Sequence, residues 1–552
     1  MGDTVSDGFF DSISNLKTRD FNSLKDSESF ISFSDDYKNI LEVSKHLDPI
    51  KHISEKEAFE LLHAMKANVV DFFGITINHY KYAGPAGWRH FPVLLNCLID
   101  DVNNTVIKEV NTVHAIIIFK GHGKLKTSDR SYLTISTCPV LAKAMDMYVR
   151  KINISTWSLE QASPQFQGQG SSHELAAILL TESIQHSLFT LKKPLYVLYL
   201  DAQSAFDVVL HELLIRNLHF SGTTGQALRY INNRLQNRQT YIEWDGSLMG
   251  PIFDQCGLEQ GGASSSEFYK IFSRDQLAMA QDSKLGVALG NLSASAIGIA
   301  DDTALVANDI LSLKLLLYLT SIFCSKYNVK LCASKTKLQI FSTKTTKVNS
   351  SSPGSEIIHI DNDAVEKADF ADHVGILRSP LGNQPTIMAR ISAHKKAMAA
   401  VLHVGLARGH RGNPAAGLRV ETTYGLPVLL SGLSALVLTK ADEDLINNSH
   451  KEMISNIQRL LPRTPRSVIY FLGGSLPGSA RLHLRQLSNF GMICRLPLKN
   501  ILNNHARNIF NYSTISNKSW FMKIRELCIK YDLPPLKNSL EIRQQKRHTR
   551  AW

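Results

Sequence analysis

The sequence has few cysteines, and their arrangement is not one that binds zinc. The seven cysteines among 552 residues are odd in number, widely spaced and without a CxxC pair. This spacing excludes a zinc ribbon, a zinc knuckle and a disulfide framework. We expect buried thiols in a reducing compartment.

Long apolar runs and targeting signals are also lacking. No apolar run reaches the ~20 residues that a membrane span needs. The longest candidate, Leu311 to Cys324, contains Lys314 and is typical of a buried helix. The N-terminus, MGDTVSDGFFDS, has neither the basic nor the apolar part of a signal peptide. We therefore expect an intracellular protein, in the nucleus, the cytoplasm or both, that is neither secreted nor in a membrane.

The charge of the chain is unevenly distributed. Apolar residues make up 44% and charged residues 20%, which excludes disordered, collagen-like and low-complexity chains. The formal net charge of +12 suggests a polyanionic partner without proving one. Residues 391–552 hold 24 Lys and Arg against 8 Asp and Glu, whereas residues 1–390 hold 37 against 41. A cationic coat for solubility would be spread over the whole chain.

The hydrophobic pattern predicts both strands and helices. The unbroken apolar run PLYVLYL (194–200) predicts a central strand. The segment ASAIGIADDTALVA (294–307) predicts a hairpin whose tip is Asp301 and Asp302. From Arg390 onward the pattern is largely helical.

Three aspartates follow or join these predicted strands. Asp201 ends the central strand, where a carboxylate is costly unless it binds a cation or hydrogen bonds, although a helix N-cap is an alternative. Turn chemistry accounts for one aspartate at the hairpin tip, but Asp301 and Asp302 repel each other unless a metal is present. The three can converge across one antiparallel sheet. Such oxygen ligands suit Mg²⁺, and two such ions clamp the oxygens of phosphoryl transfer.

Two neighbouring segments fit the same chemistry. The glycines of Gly257 to Gly262 would let the backbone approach a base pair or sugar closely, although an ordinary glycine-rich loop is the alternative. Lys335 precedes a predicted strand and could meet a triphosphate or protonate the leaving pyrophosphate. A solvated surface lysine is its alternative.

In order and spacing, four segments resemble the palm motifs of a reverse transcriptase: YLDAQSAFD (199–207), GLEQGGASSSEFY (257–269), IGIADDTAL (297–305) and ASKTKL (333–338). SPQFQGQGSSHELAA (163–177) resembles the fingers segment of non-LTR elements, and DHVGILRSP (372–380) is similar to the primer-grip turn. The family that these segments resemble is the polymerase of non-LTR, LINE-type retrotransposons. The resemblance is clear over about residues 115–380 and looser to about 480.

This resemblance implies an α+β fold, a right-hand polymerase with fingers, a palm of antiparallel sheet with packed helices, and a helical thumb. The implied divisions are an N-terminal helical extension (1–113), fingers (114–193), palm with inserted fingers helices (194–345), linker and primer-grip region (346–389), thumb (390–480) and basic C-terminal helical extension (481–552).

The resemblance also implies the metal site. Asp201, Asp301 and Asp302 would be the catalytic carboxylates that hold two Mg²⁺ ions, with Mn²⁺ as a substitute. Asp207 would cap the following helix rather than bind metal. Phe206 would lie under the sugar and clash with a 2′-hydroxyl, so that deoxynucleotides are preferred; a core phenylalanine is its alternative.

Further residues are implied in binding. Gln260, Gly261, Lys335 and Arg130 would contact the nucleotide. The basic 391–552 segment would form the thumb and a trailing grip on nucleic acid. Its implied contacts, together with Gly375 of the primer-grip turn, include Arg408, Arg411 and Arg419, although a solvated helix face is the alternative for each arginine.

Three departures from the family pattern bear on activity. Leu133 stands where the family has a triphosphate-binding arginine, and Lys124, Lys126 or Arg130 could compensate. Ser264 to Ser266 replace a Leu-Ser-Pro sequence in the second motif. The residues before the fingers are too few for an endonuclease, and the C-terminal part has no Cys/His cluster.

Two hypotheses follow. In the first, the chain is an RNA-directed DNA polymerase that uses an RNA template, a DNA primer and dNTPs, without an organic cofactor and without a membrane. In the second, it is a catalytically inactive, truncated retroelement remnant that only binds nucleic acid. RNA-dependent RNA synthesis is a distant third, because Phe206 argues against ribonucleotides. The sequence does not indicate an oligomeric state.

Overall fold

The computed structural model describes residues 10–15, 17, 28–65, 70–101, 110–121, 125, 131–159, 165–166, 172–236, 238–343, 357–401, 413–511 and 518–534. The chain divides into two compact units. The first comprises Met1–Ala162, Ala202–Gln276 and Ser321–Lys330, and the second comprises Ser163–Asp201, Leu277–Thr320 and Leu331–Trp552. Each unit is therefore assembled from segments that are far apart in sequence.

Helices in the described residues are α1 (Glu28–Ser44), α2 (Glu55–Ala64), α3 (Ile77–Lys81), α4 (Gly84–Asp100), α5 (Val140–Leu159), α6 (His173–Gln185), α7 (His211–Phe220), α8 (Gly225–Gln236), α9 (Ser265–Asp282), α10 (Ile310–Tyr327), α11 (Gln384–Val401), α12 (Pro414–Val420), α13 (Leu426–Leu430), α14 (Lys440–Gln458), α15 (Arg466–Leu472), α16 (Gly478–Ile493), α17 (Ile501–Asn511) and α18 (Trp520–Lys530). The described residues beyond Gln384 form helices joined by turns, without a strand, as the sequence pattern predicts.

The strands are β1 (Thr112–Phe119), β2 (Tyr132–Thr137), β3 (Leu195–Leu200), β4 (Gln239–Trp244), β5 (Ser247–Phe253), β6 (Val287–Leu289), β7 (Leu292–Ala294), β8 (Ala296–Ile299), β9 (Asp302–Ala307), β10 (Lys337–Phe341), β11 (His359–Ile360), β12 (Asp363–Ala364), β13 (Glu366–Lys367), β14 (Ala371–His373) and β15 (Ile376–Arg378).

The sheet of the first unit has the order β2-β1-β4-β5. Strand β1 pairs antiparallel with β2 and parallel with β4. Its β-branched residues suit a pleated, half-buried surface. Ala115 packs in a small core with Ile242 and Ile252.

The sheet of the second unit has the order β13-β10-β3-β9-β8, and β3 lies at its centre. All six residues of β3 are buried, because its apolar side chains are covered on both faces of the sheet. The predicted central strand and the predicted hairpin, β8–β9, are thus confirmed. Together with the packed helices, these sheets confirm an α+β fold.

The C-terminal helices share the core of this second sheet. Trp520 and Phe521 belong to the same buried cluster as Leu195 of β3. The buried carboxylate of Glu182 on α6 accepts hydrogen bonds from His505 Nε2 (3.2 Å) and Ser519 Oγ (3.0 Å). Helices α17 and α18 are therefore part of the core of the unit that contains β3.

Three local expectations need correction. The hairpin tip is Ala300 and Asp301, and Asp302 already belongs to β9. Helix α7 begins at His211 with Leu210 as its N-cap, so Asp207 does not cap it. Helix α10 is not fully buried, since Leu311 is 66% and Tyr318 62% exposed.

Helix α10 is also the one helix among the described residues that is long and apolar enough to cross a membrane. One third of it is buried in the protein. The core helix of a soluble protein passes the same test of length and composition, so this finding alone is weak evidence for a membrane span.

Candidate active site

The three predicted carboxylates meet at one edge of the second sheet. Strand β3 pairs antiparallel with β9, and Leu200 lies opposite Thr303. Asp201 directly follows Leu200, and Asp302 directly precedes Thr303. Asp301 lies in the two-residue turn between β8 and β9, where Ala300 adopts a positive φ of 51°. The antiparallel pairing brings the end of β3 and the hairpin tip together, as the sequence predicts.

Asp201 is fixed through its backbone by the segment that leads into β10. Its carbonyl oxygen accepts a hydrogen bond from the backbone N–H of Cys332 (2.8 Å), and its own N–H donates to Thr336 Oγ1 (3.3 Å). The ammonium nitrogen of Lys335 lies 3.2 Å from Asp201 Oδ2. The backbone therefore holds this carboxylate in place, and the lysine forms an ion pair with it.

The acidity of the two hairpin carboxyls is altered by their surroundings. The pKa of Asp302 is raised to about 6, because burial disfavours the charged form and because Asp301 and Asp372 repel it. The pKa of Asp301 is also raised, through burial and through Asp201, although Lys335 opposes the shift. Negative charge is thus concentrated at this edge beyond what the nearby lysine neutralises.

The side chains at this edge offer oxygen ligands to a divalent cation. The Oδ2 atom of Asp201 is buried and accepts no hydrogen bond from any residue that the structure describes. The cation that faces this oxygen is the ammonium of Lys335, 3.2 Å away on a largely exposed side chain. Carboxylate oxygens are the ligands that Mg²⁺ prefers, so a divalent cation could replace the lysine there. The donor chemistry therefore fits. Within the described ranges, however, no three His, Cys, Asp or Glu side chains are grouped closely enough to hold a metal ion.

The segment similar to a primer-grip turn forms the hairpin β14–β15. Its tip is Val374 and Gly375, which both have positive φ, 52° and 74°. The backbone N–H of Val374 donates a hydrogen bond to the Asp302 carboxylate, which lowers the pKa of Asp302 and partly offsets the repulsion. This hairpin therefore contacts one of the three carboxylates directly, which the sequence alone did not indicate.

Phe206 lies in the first unit and is held by the second motif. Its ring stacks on the ring of Tyr269, with centroids 4.7 Å apart and planes 15° from parallel. Its carbonyl oxygen accepts a hydrogen bond from the N–H of Leu258 (2.8 Å). Tyr269 was not among the predicted site residues. Its sequence signal, an aromatic residue in the fifth position of a helix, is too common to single it out.

The glycine-rich loop of the second motif lies against strand β2. The N–H of Ser136 donates to the carbonyl oxygen of Gln260 (3.0 Å). Gly261 has φ of +115°, and a Cβ atom there would lie 3.1 Å from the carbonyl oxygen of Ser136. Both facts make glycine necessary at position 261, as expected for a close backbone approach. The partly exposed Gln260 and the exposed Gly261 are accessible to a ligand.

The structure also places the departures from the family pattern. Leu133 lies on the edge strand β2 and is 38% exposed. The serines of the second motif lead into α9, which begins at Ser265. Their loop is thus an ordinary helix start, and the altered sequence does not prevent the fold of this motif.

The predicted nucleic-acid contacts are only partly described. Arg130, Arg408 and Arg411 lie outside the described residues, as do Lys124 and Lys126. Arg419 is exposed on α12, and Gly375 is exposed at the tip of β14–β15.

The fingers segment before α6 contacts the catalytic hairpin. The N–H of Phe166 donates to the carbonyl oxygen of Gly298 in β8 (3.0 Å), and Gln165 forms a parallel bridge with the same glycine. Thr336 and Val374 also reach the catalytic edge, and neither was among the predicted site residues.

A sequence comparison with known protein families agrees with this geometry. Residues 124–360 match the family model "Reverse transcriptase (RNA-dependent DNA polymerase)". Over 140 residues, the chain is 29% identical to the Retrovirus-related Pol polyprotein from type-2 retrotransposable element R2DM of Drosophila melanogaster. That alignment covers 25% of this chain and 13% of the length of the relative. A structure of apo telomerase from Candida tropicalis, truncated from the C-terminal domain, covers 50% of this chain and 54% of its own, with a TM-score of 0.34 and 12% identity.

Residues 124–360 are therefore a reverse transcriptase domain. Within that class, the similarity to the R2 polyprotein supports the predicted non-LTR type. The predicted polymerase fold of the α+β class is confirmed, and the family implies dependence on a divalent metal and on nucleic acid in general.

Proposed function

We propose that this chain is an RNA-directed DNA polymerase that adds dNTPs to the 3′-hydroxyl of a DNA primer on an RNA template. One observation carries the proposal. Asp201, Asp301 and Asp302 lie at one edge of the sheet inside the matched domain and repel one another, and the buried oxygen of Asp201 faces only the partly exposed ammonium of Lys335. The aligned part covers 13% of the length of the R2 relative, so the proposed activity rests on the site of this chain.

Each residue of the site has a role in this proposal. Asp201, Asp301 and Asp302 would hold two Mg²⁺ ions, or Mn²⁺ as a substitute. When bound, these ions would neutralise the charge of the phosphates and lower the pKa of the primer 3′-hydroxyl. Lys335 exchanges its ion pair with Asp201 for the triphosphate of the incoming nucleotide. That exchange is inexpensive, because a partly exposed ion pair contributes only about 0–1 kcal/mol.

Nucleotide choice falls to Phe206. The stack on Tyr269 would support its ring under the sugar, where the ring would exclude a 2′-hydroxyl. Gln260 and Gly261 line the nucleotide and template side. Residues 390–480 would act as a thumb, with Arg408, Arg411 and Arg419 on the nucleic-acid backbone, and no organic cofactor would be required. We also propose an intracellular location, which microscopy of a tagged chain would test.

A second candidate function is nucleic-acid binding without catalysis. Leu133 favours it, because an aliphatic side chain on the edge strand β2 cannot bind a triphosphate. In this alternative the palm folds and grips template and primer but turns over no nucleotide.

Primer extension separates the two candidates. A DNA primer is annealed to an RNA template and incubated with purified chain, Mg²⁺ and either dNTPs or rNTPs. The polymerase proposal expects extension with dNTPs alone. Tight binding of the primer–template without any extension would favour the alternative.

A further inference from the structure

Helix α15 exposes an apolar face on the second unit. Its residues Ile469 and Tyr470 are buried with Ile454 of α14. Val468, Phe471 and Leu472 are spaced as one face of a helix and are exposed instead. Phe471 is 85% exposed, although aromatic rings are normally well buried.

The turns on either side of α15 enlarge this surface, which we call the 461–476 patch. It consists of five exposed apolar side chains: Leu461, Val468, Phe471, Leu472 and Leu476. Exposed apolar side chains grouped in one segment of the chain in this way are typical of an interaction site.

The patch is rigidly supported. The N–H of Ser475 donates to the carbonyl oxygen of Tyr470 (3.1 Å), and that of Gly474 donates to the carbonyl oxygen of Phe471 (3.1 Å). Gln458 Nε2, at the end of α14, donates to the carbonyl oxygen of Ile469 (3.1 Å). Because the C-terminal half of α15, which carries Phe471, is held by these hydrogen bonds, binding through the patch would need little ordering of the backbone.

The charge around the patch indicates the chemistry of its partner. Between Glu452 and Glu526 the sequence contains eleven Lys and Arg and no Asp or Glu. Arg463 lies exposed between Leu461 and α15. Arg466, at the start of α15, donates to Asn448 Oδ1 (2.7 Å) and lies 3.7 Å from Asp444 Oδ1, so the contact with a phosphate falls to Arg463. An apolar surface with an aromatic ring inside an acid-free basic stretch complements a polyanion that also carries flat apolar groups.

We propose that the 461–476 patch binds single-stranded nucleic acid, with an unpaired base stacked on Phe471 and the phosphate backbone beside Arg463. Aromatic rings and cationic side chains are the combination by which proteins bind unpaired strands without sequence preference. A fully paired duplex offers no free base face to the ring. The inference rests on the proposed function in taking nucleic acid as the ligand, and it adds the unpaired strand as the form bound here.

Fluorescence anisotropy with a labelled oligo-uridine, and separately with a fully paired RNA–DNA duplex, tests the proposal. Phe471→Ala should weaken oligo-uridine binding roughly 5- to 150-fold, the range expected for loss of one base–aromatic stack. Duplex binding should stay unchanged. Phe471→Trp should retain the affinity, because it preserves a stacking surface.

Leu311→Ala on α10 is the matched control, since it also removes an exposed apolar side chain but lies outside the acid-free stretch. Salt titration separates the two contacts of the patch. Arg463→Gln should reduce the slope of log affinity against log salt by about 0.7, the value expected for one phosphate contact on a single strand. Phe471→Ala should leave that slope unchanged, because stacking releases no counterions.

Two results would overturn the proposal. One is oligo-uridine binding by Phe471→Ala that equals binding by Leu311→Ala. The other is a loss of self-association in sedimentation with unchanged RNA binding, which would make the patch a protein interface. Primer extension by the unaltered chain tests the polymerase proposal independently of this binding assay. A chain that fails to extend primers but shows Phe471-dependent binding would refute the polymerase and leave this inference standing.

Discussion

The ammonium nitrogen of Lys335 lies 3.2 Å from the Oδ2 atom of Asp201, and that oxygen is buried without a hydrogen bond from the described residues. The lysine side chain itself is 66% exposed. A carboxylate fixed by its backbone thus faces a cation that is free to leave into solvent. We expect this lysine to neutralise Asp201 until a nucleotide draws it away.

Removing this lysine should impair nucleotide binding. In Lys335→Ala, the KM for dNTP should rise roughly 10- to 150-fold, the range expected for loss of a hydrogen bond to a charged group. The value of kcat should change less, because the carboxylates remain. Steady-state primer extension at varied dNTP concentration measures both. Lys330→Ala, an exposed lysine five residues earlier, serves as the control, and an equal rise in KM there would refute the assignment.

Nucleotide selectivity should depend on the stack of Phe206 and Tyr269. We expect Phe206→Val to admit ribonucleotides, since it removes the ring that meets the 2′-hydroxyl. Tyr269→Leu should partly do the same, because Phe206 then loses its support, whereas Tyr269→Phe preserves the stack and the selectivity. The ratio of kcat/KM for dNTP and rNTP measures the effect. Unchanged selectivity in Phe206→Val would mean that the steric assignment is wrong.

Leu133 should lower the rate at which the chain incorporates dNTPs. An arginine fits at this position because the side chain is partly exposed on an edge strand. Leu133→Arg should therefore increase kcat/KM for dNTP, by about tenfold or more if the guanidinium reaches the triphosphate. Thr134→Arg is the matched control, since neighbouring residues of a strand face opposite sides. If both variants gain equally, the effect is one of net charge only.

Buried histidines should make the chain sensitive to acid. Burial and nearby Arg238 lower the pKa of His211 to about 4, and burial and Arg378 lower that of His373 to about 3. Burial, His394 and Arg481 lower that of His450 to about 4. In the unfolded chain these groups titrate near pH 6.5, so the unfolded state binds more protons below that pH.

Their contribution to stability should be complete above about pH 6.5 and should fall as the pH drops toward 4, by about 1.4 kcal/mol per pH unit for each histidine. Urea unfolding at a series of pH values measures this slope. His373→Phe should flatten it, because both ring nitrogens of His373 are buried without hydrogen bonds from the described residues. The exposed His46→Phe should leave it unchanged. An identical slope in His373→Phe would contradict the burial of this histidine.

The parts of the fold that depend on local patterns could be predicted from the sequence. The apolar run of β3 and the small apolar residues around Asp301 determine a buried strand and a hairpin wherever they occur. Since antiparallel pairing can bring those elements together, the approach of Asp201 to Asp301 was expected, and the register of β3 and β9 confirms it. The apolar pattern of α10 predicted a buried helix, and this prediction is wrong because Leu311 and Tyr318 are exposed.

The parts that depend on distant contacts could not be predicted. Tyr269 stacks on a ring 63 positions earlier in the chain. Glu182 is satisfied by side chains more than 320 positions later, and that contact joins the C-terminal helices to the core around β3. Nothing in either local sequence indicates the partner. Asp207 is a favourable N-cap residue by type, but α7 begins only at His211, so Asp207 lies too early in the chain to cap it.

The central claim is that the carboxylates at the edge of β3 and β9 catalyse Mg²⁺-dependent DNA synthesis. Primer extension on an RNA template should be compared for the unaltered chain, Asp301→Asn and Asp309→Asn, with and without Mg²⁺. Asp309→Asn is the matched control, because Asp309 accepts a hydrogen bond from the N–H of Ser312 near the start of α10 and asparagine caps equally well. We predict extension by the unaltered chain and by Asp309→Asn only when Mg²⁺ is present, and none by Asp301→Asn. Extension by Asp301→Asn at the rate of the control would contradict the account.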